Sequence, residues 1–216
     1  MSIYFYGCIT MDGYLADKAH NLDWLYQTGT TTETDYEEFY KQMDITIMGK
    51  RTFNEIEKAE NILDFYPTTQ NYVFTHASDL SQNGFTSINA DVVEFVKQID
   101  KDKNIWIIGG NTILRPLLNN NMVDHIIMQA APVLLGTGIP LFTQKEELKR
   151  YRLESVKKYG QFAELVYEKG IRCVWKMNMP VSSIQKRQSN QIGVHGSLKG
   201  YKSESVVRYT LPENET

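Results

Sequence analysis

Two segments of this 216-residue chain place glycine between an apolar strand and a helix. In one, Ile105-Trp106-Ile107-Ile108 runs into Gly109-Gly110 and then Asn111-Thr112-Ile113. A strand that turns directly into a helix leaves the first-turn N–H groups without intrahelical acceptors. The helix dipole adds about half a positive charge there. Glycine lets an anion approach the backbone with no Cβ in the way. A pyrophosphate is the natural guest. The pair is not the full Gly-x-Gly-x-x-Gly fingerprint, and a tight turn without ligand is the plain alternative. The other segment is Ile47-Met48-Gly49-Lys50-Arg51-Thr52-Phe53. The dipole disfavours cations at a helix start, so two together ask for an anion. Lys50 and Arg51 are candidates to hold a phosphate, with Thr52 adding a hydroxyl donor. A third strand end, Phe74-Thr75-His76, offers a hydroxyl and an imidazole. Three such ends in one parallel sheet reinforce one another, because ligands bind at the carboxyl ends of its strands.

The elements that must position these residues alternate in type. Strands are expected at Ile3 to Ile9, Asp44 to Met48, Tyr72 to Thr75, Ile105 to Ile108 and His125 to Ala131. Helices are expected from Thr34 to about Gln42, then over Lys50 to Lys58, Asp91 to Ile99 and Thr112 to Leu118. Thr34 and Glu37 have the spacing of a capping box. Tyr151 to Tyr159 and Phe162 to Lys169 flank Gly160-Gln161 and read as a closing hairpin. Strands alternating with helices imply an α/β fold: a mainly parallel sheet covered on both faces, finished by an antiparallel pair.

The remaining chemistry-bearing residues are sparse. Asp12-Gly13 is a turn signal. Trp24 is either a stacking surface or a core anchor. His20 and His125 have no triad partners in sequence, so nucleophilic catalysis is not indicated. Cys8 lies in an apolar strand and reads as an inert core residue. With Cys173 it can build neither a disulfide framework nor a zinc cluster. Apolar residues are 42% and charged residues 23% of the chain, an ordinary globular composition. The net charge of −3 gives no push toward nucleic acid. The apolar runs are far too short to cross a bilayer, and Met-Ser-Ile-Tyr-Phe-Tyr lacks the basic start of a secretory signal. A cytoplasmic protein is expected, with neither membrane nor nucleic acid as partner. Charge divides unevenly: residues 1–169 hold 16 Lys and Arg against 23 Asp and Glu, and residues 170–216 hold 7 against 3. A boundary is therefore expected near Gly170, followed by a basic extension.

Gly49-Lys50-Arg51-Thr52-Phe53 resembles the Gly-Arg-x-Thr segment of dihydrofolate reductases. Ile105 to Gly110 resembles their second glycine motif, with Val123-Asp124 after it. Thr10-Met11-Asp12-Gly13-Tyr14-Leu15-Ala16, Leu22-Asp23-Trp24-Leu25 and Pro132 through Phe142 resemble segments of one branch of that family. This branch holds the C-terminal reductase domain of the bifunctional riboflavin-biosynthesis deaminase/reductase. The deaminase's paired-cysteine zinc motif is absent. The resemblance spans about residues 1–169. It implies a dihydrofolate reductase-like three-layer fold, NADPH as cofactor and a small heterocyclic substrate of pyrimidine or pteridine type, with a homodimer as the expected assembly. It implies that Gly49, Arg51 and Thr52 lie by the cofactor phosphates. Thr75 and His76 would lie near the adenosine 2′-phosphate, and Gly109, Gly110, Asn111 and Thr112 would cradle the pyrophosphate. Counted back from Phe39, Asp35 matches the acid that grips the pterin ring, with Glu38 as its competitor on the same helical face. Asp12 would sit in the loop over the nicotinamide. Lys18 and Arg115 are candidates for a ribose phosphate. The rival reading is a non-catalytic NADP(H)-binding sensor or scaffold.

Overall fold

Along the first strand Ile3, Phe5 and Ile9 alternate with Tyr4, Tyr6 and Cys8, so the two sets face opposite sides of the sheet. That alternation divides the whole molecule. The computed structural model describes residues 1–29, 34–58, 65–76, 84–143 and 147–170. The extension expected over residues 170–216 lies, from residue 171 onward, outside the described residues.

The elements are β1 (Ser2–Thr10), β2 (Tyr14–Ala16), α1 (Asp23–Thr28), α2 (Tyr36–Tyr40), β3 (Ile45–Gly49), α3 (Lys50–Glu57), β4 (Gln70–Phe74) and β5 (Phe85–Ile88). They continue with α4 (Val92–Lys97), β6 (Asn104–Gly109), α5 (Asn111–Asn119), β7 (His125–Ala131), β8 (Ile139–Pro140), β9 (Tyr151–Tyr159) and β10 (Phe162–Lys169). Eight strands form one sheet in the order β5-β4-β3-β6-β1-β7-β10-β9. The pairs from β5 to β7 are parallel, and β10 and β9 close the sheet antiparallel. The expected mainly parallel sheet with an antiparallel hairpin is what the chain forms.

One face buries Ile3, Phe5, Ile45, Ile47, Ile105 and Ile107 against the valines of α4 and the leucines of α5. The other buries Tyr6, Met48, Val73 and Trp106 against Phe39 of α2 and Phe53 of α3. Sheet and two helical layers make the three-layer fold. Each buried large apolar side chain contributes about 1.5–3 kcal/mol, so neither face can slip register by a residue without exposing its whole set.

Some sequence expectations need correction. The capping box does not form. The first turn of α2 begins at Tyr36, with Asp35 at the N-cap and no side-chain cap bond. The side chain of Thr34 instead bonds Tyr6, and that of Asp35 bonds β9. A short strand, β5, lies where only loop was expected, and β2 pairs with β8 in a small second sheet. The apolar run of β7 is explained by its place inside the sheet, between β1 and β10. No helix among the described residues is long and apolar enough to cross a membrane.

Candidate active site

The glycine-bearing strand ends meet. β3 and β6 are neighbours, with Met48 opposite Gly109. Gly110 has φ +86, a conformation that favours glycine. A Cβ there would lie 3.6 Å from Thr112 Oγ1 and 3.7 Å from Thr52 Oγ1. A Cβ on Gly109 would lie 3.6 Å from Thr52 Oγ1, and one on Gly49 3.7 Å from Thr112 Oγ1. Three glycines and two hydroxyls therefore lie together at the N-termini of α3 and α5. The adjacent cations part company. Lys50 Nζ lies 4.5 Å over the Phe53 ring, while Arg51 Nη1 donates to His20 Nε2 at 2.8 Å. Asn111 is tied down: its Nδ2 donates to Pro140 O at 3.2 Å, and its Oδ1 accepts from Thr143 Oγ1 at 2.9 Å. Thr75 and His76 line a cavity of about 260 Å³ together with Asn89, Asp91 and Thr112. His76 Nδ1 is 3.0 Å from Asn89 Oδ1. Lys18 and Arg115 are both exposed.

Asp12 works on the loop that follows β1. Its carboxylate accepts from Thr10 Oγ1 at 2.5 Å and from the amides of Leu135 and Gly136 at 3.3 and 2.7 Å. The Thr10 hydroxyl first, then the Gly136 and Leu135 amides, hold its carboxyl below the usual carboxylate range. Leu141 N also donates to Gly13 O. The Asp12 turn is thus clasped to the segment carrying β8, and it does not line the cleft beside α2.

That cleft, of about 230 Å³, is lined by the rings of Tyr4, Tyr6 and Phe39 and by Asp35, Glu38 and Glu164. Asp35 Oδ2 accepts from Lys157 Nζ and from Tyr159 Oη, each at 2.5 Å. These bonds, Lys157 first, hold Asp35 below the ordinary carboxylate range. Glu164 is the opposite case. It is buried at 5% exposure, and burial above all raises its carboxyl, with the charge of Asp35 adding to the effect. Gln129 Nε2 donates to Glu164 Oε2 at 3.0 Å and to Tyr6 Oη at 2.7 Å. Cys8 is not simply core: its thiol donates to Gln129 Oε1 at 3.1 Å. Trp24 packs with Ala131 and Phe162 against Cys8, and its indole Nε1 is buried without a hydrogen-bond partner among the described residues.

Sequence reading did not single out Lys157, Tyr159, Gln129 or Glu164. A signal for Glu164 exists. It shares a strand face with Phe162 and Val166, so an acid stands where the period-two pattern asks for an apolar residue.

With this geometry in place, known proteins supply the relationship. Residues 3–163 match the RibD C-terminal domain family. The chain belongs to that family. The uncharacterized protein YwjB of Bacillus subtilis (strain 168) is 30% identical over 165 residues, covering 75% of this chain and 94% of YwjB. A structure from Shewanella sp. PV-4, provisionally assigned to riboflavin biosynthesis, superposes with a TM-score of 0.68 at 21% identity. It covers 79% of this chain and 100% of that one. Dihydrofolate reductase from Enterococcus faecalis, solved with NADP(H), gives a TM-score of 0.53 at 11% identity, covering 79% and 97%. At those identities the two structures establish the dihydrofolate reductase-like fold alone. The RibD-type domain here carries a reductase-like architecture, with a glycine cradle at two strand ends and an acid-lined aromatic cleft beside α2.

Proposed function

We propose that this chain is an NADPH-dependent reductase acting on a pyrimidine- or pteridine-type heterocycle. The observation that carries the reading is the convergence of Gly49, Gly109 and Gly110 with the hydroxyls of Thr52 and Thr112 at two helix N-termini. It fits a dinucleotide phosphate: bare backbone, two hydroxyl donors and two helix N-termini suit an anion. Arg51 supplies charge at the rim. Thr75 and His76 lie by the adenosine 2′-phosphate in this reading, which is the basis for NADPH over NADH.

When bound, the cofactor supplies the hydride. The protein orients the substrate that receives it. Tyr4, Tyr6 and Phe39 offer aromatic faces for a planar heterocycle. Asp35, kept anionic by Lys157 and Tyr159, accepts N–H bonds from an aminopyrimidine edge. Asp12 holds the loop after β1 in the shape that covers the nicotinamide. Membership of the RibD C-terminal domain family supports the riboflavin-type ribosylaminopyrimidine as one substrate to try, and the fold supports a dihydropteridine as the other. A homodimer located in the cytoplasm completes the reading.

The test is a screen of aminopyrimidines and pteridines against NADPH, followed by loss of nicotinamide absorbance. Turnover of at least one is expected. Asp35→Asn should lower that turnover by about 10- to 100-fold, the value of a hydrogen bond to a charged group, and leave NADPH affinity unchanged. If every ring is inert while NADPH binds tightly, a sensor becomes the better reading.

A further inference from the structure

The register of four strands sets four side chains in one row. Cys8 lies opposite Gln129, Gln129 opposite Glu164, and Glu164 opposite Lys157. The row crosses β1, β7, β10 and β9 on the cleft side of the sheet. Its hydrogen bonds have a direction. The Cys8 thiol donates to Gln129 Oε1, so the amide turns both Nε2 hydrogens the other way, one to Tyr6 Oη and one to Glu164 Oε2. Oε2 therefore accepts, and a proton on Glu164 sits on Oε1. Glu164 helps to line the cleft, so that proton can meet a molecule bound there.

The same cleft holds a second carboxyl of contrary character. Asp35 is half-exposed and paired with a lysine. Glu164 is buried and faces a neutral amide. Carboxyl groups driven apart by their surroundings divide acid and base roles between them. We infer that Glu164 donates the proton consumed in the reduction, while Asp35 anchors the ring as an anion. This rests on the reductase reading above.

The step balances for a C=N bond. The carbon of that bond would receive the hydride and its two electrons from a bound nicotinamide, whose C–H bond breaks. The O–H bond at Glu164 Oε1 breaks, an N–H bond forms on the nitrogen, and water returns a proton to the carboxylate. The charged and titratable groups around Glu164 among the described residues are Asp35 and Glu38 from α2, Tyr4, Tyr6 and Cys8 from β1, and Lys157 and Tyr159 from β9. Burial pushes the Cys8 thiol up to about 12 and raises Tyr6, so both stay neutral near pH 7. Burial raises Glu164 too, so it holds its proton to a higher pH than an ordinary carboxyl.

The experiment compares wild-type protein with Glu164→Gln, which keeps shape and hydrogen bonding but has no proton to give. NADPH affinity should be unchanged. kcat should fall about 10²- to 10⁴-fold, the usual contribution of a positioned general acid. In the wild type kcat should fall as pH rises through the Glu164 titration, and this limb should be missing in Glu164→Gln. The protein without cofactor gives an independent readout. Its infrared spectrum, followed as pH falls, should gain a carboxylic-acid C=O band at a higher pH than the ordinary carboxyls do, and Glu164→Gln should lack it. A variant with near wild-type kcat, or a slow one that keeps the limb, overturns the assignment. So does a wild-type spectrum without that higher-pH acid band. Wild-type protein that binds no NADPH and turns over no ring fails earlier, at the reductase reading, and takes the inference with it.

Discussion

Asp35 stands at the start of α2 yet caps nothing. Its carboxylate reaches across to Lys157 and Tyr159, and the same region buries Glu164, so one cleft holds a stabilised anion and a strained acid. The two should mark the pH dependence of stability with opposite signs. The folded-state pKa of Asp35 is lowered. Its contribution is present above the unfolded value and is lost as pH falls through the folded one. Melting wild type against Asp35→Asn should show a deficit at neutral pH that closes toward acid pH. For so exposed a pair it should stay within about 1 kcal/mol. The folded-state pKa of Glu164 is raised. Wild type therefore loses stability relative to Glu164→Gln as pH climbs through that value, and paired melts at rising pH would reveal it. At this scale the sequence was half legible. Asp35 could be placed because Phe39, four residues on, is a core residue on the same helical face. Lys157, Tyr159 and Gln129 could not, because pairing register across the last strands is a tertiary fact.

The elements were more legible than the residues. β7, β9 and β10 begin and end where their apolar periodicity and the Gly160-Gln161 turn put them. β5 was missed because Phe85-Thr86-Ser87-Ile88 is short and polar in its middle. β2 and β8 were missed because three and two residues are too few to show a period. Those two strands still matter, since they fasten the Asp12 turn. A Cβ on Gly138 would lie 2.3 Å from Ala16 O, so Gly138→Ala cannot keep this pairing unaltered. It should cost about 1–3 kcal/mol as overpacking does, and hydrogen exchange at the Leu141 amide should accelerate. Gly110→Ala forces an L side chain to φ +86 at the start of α5. A loss of about 1–3 kcal/mol is expected, together with weaker NADPH binding, measurable by thermal melts and by titration.

Among the described residues, the sheet leaves β9 as an edge. Leu153 and Val156 stand on it at 50% and 60% exposure. Arg152, Lys157 and Lys158 discourage open-ended pairing, while the two apolar residues leave room for one mate. The homodimer in our reading is placed on this edge. Val156→Lys should shift the sedimentation coefficient toward the monomer. An unchanged coefficient would move the interface elsewhere. The central claim concerns the opposite end of the strands, where the glycines of β3 and β6 meet. Titration of the purified chain with NADPH and with NADH, followed by nicotinamide fluorescence, tests it most directly. Tight NADPH binding with weak NADH binding is the predicted result. Binding of neither would contradict it and leave the chain with the fold of a reductase but not its cofactor.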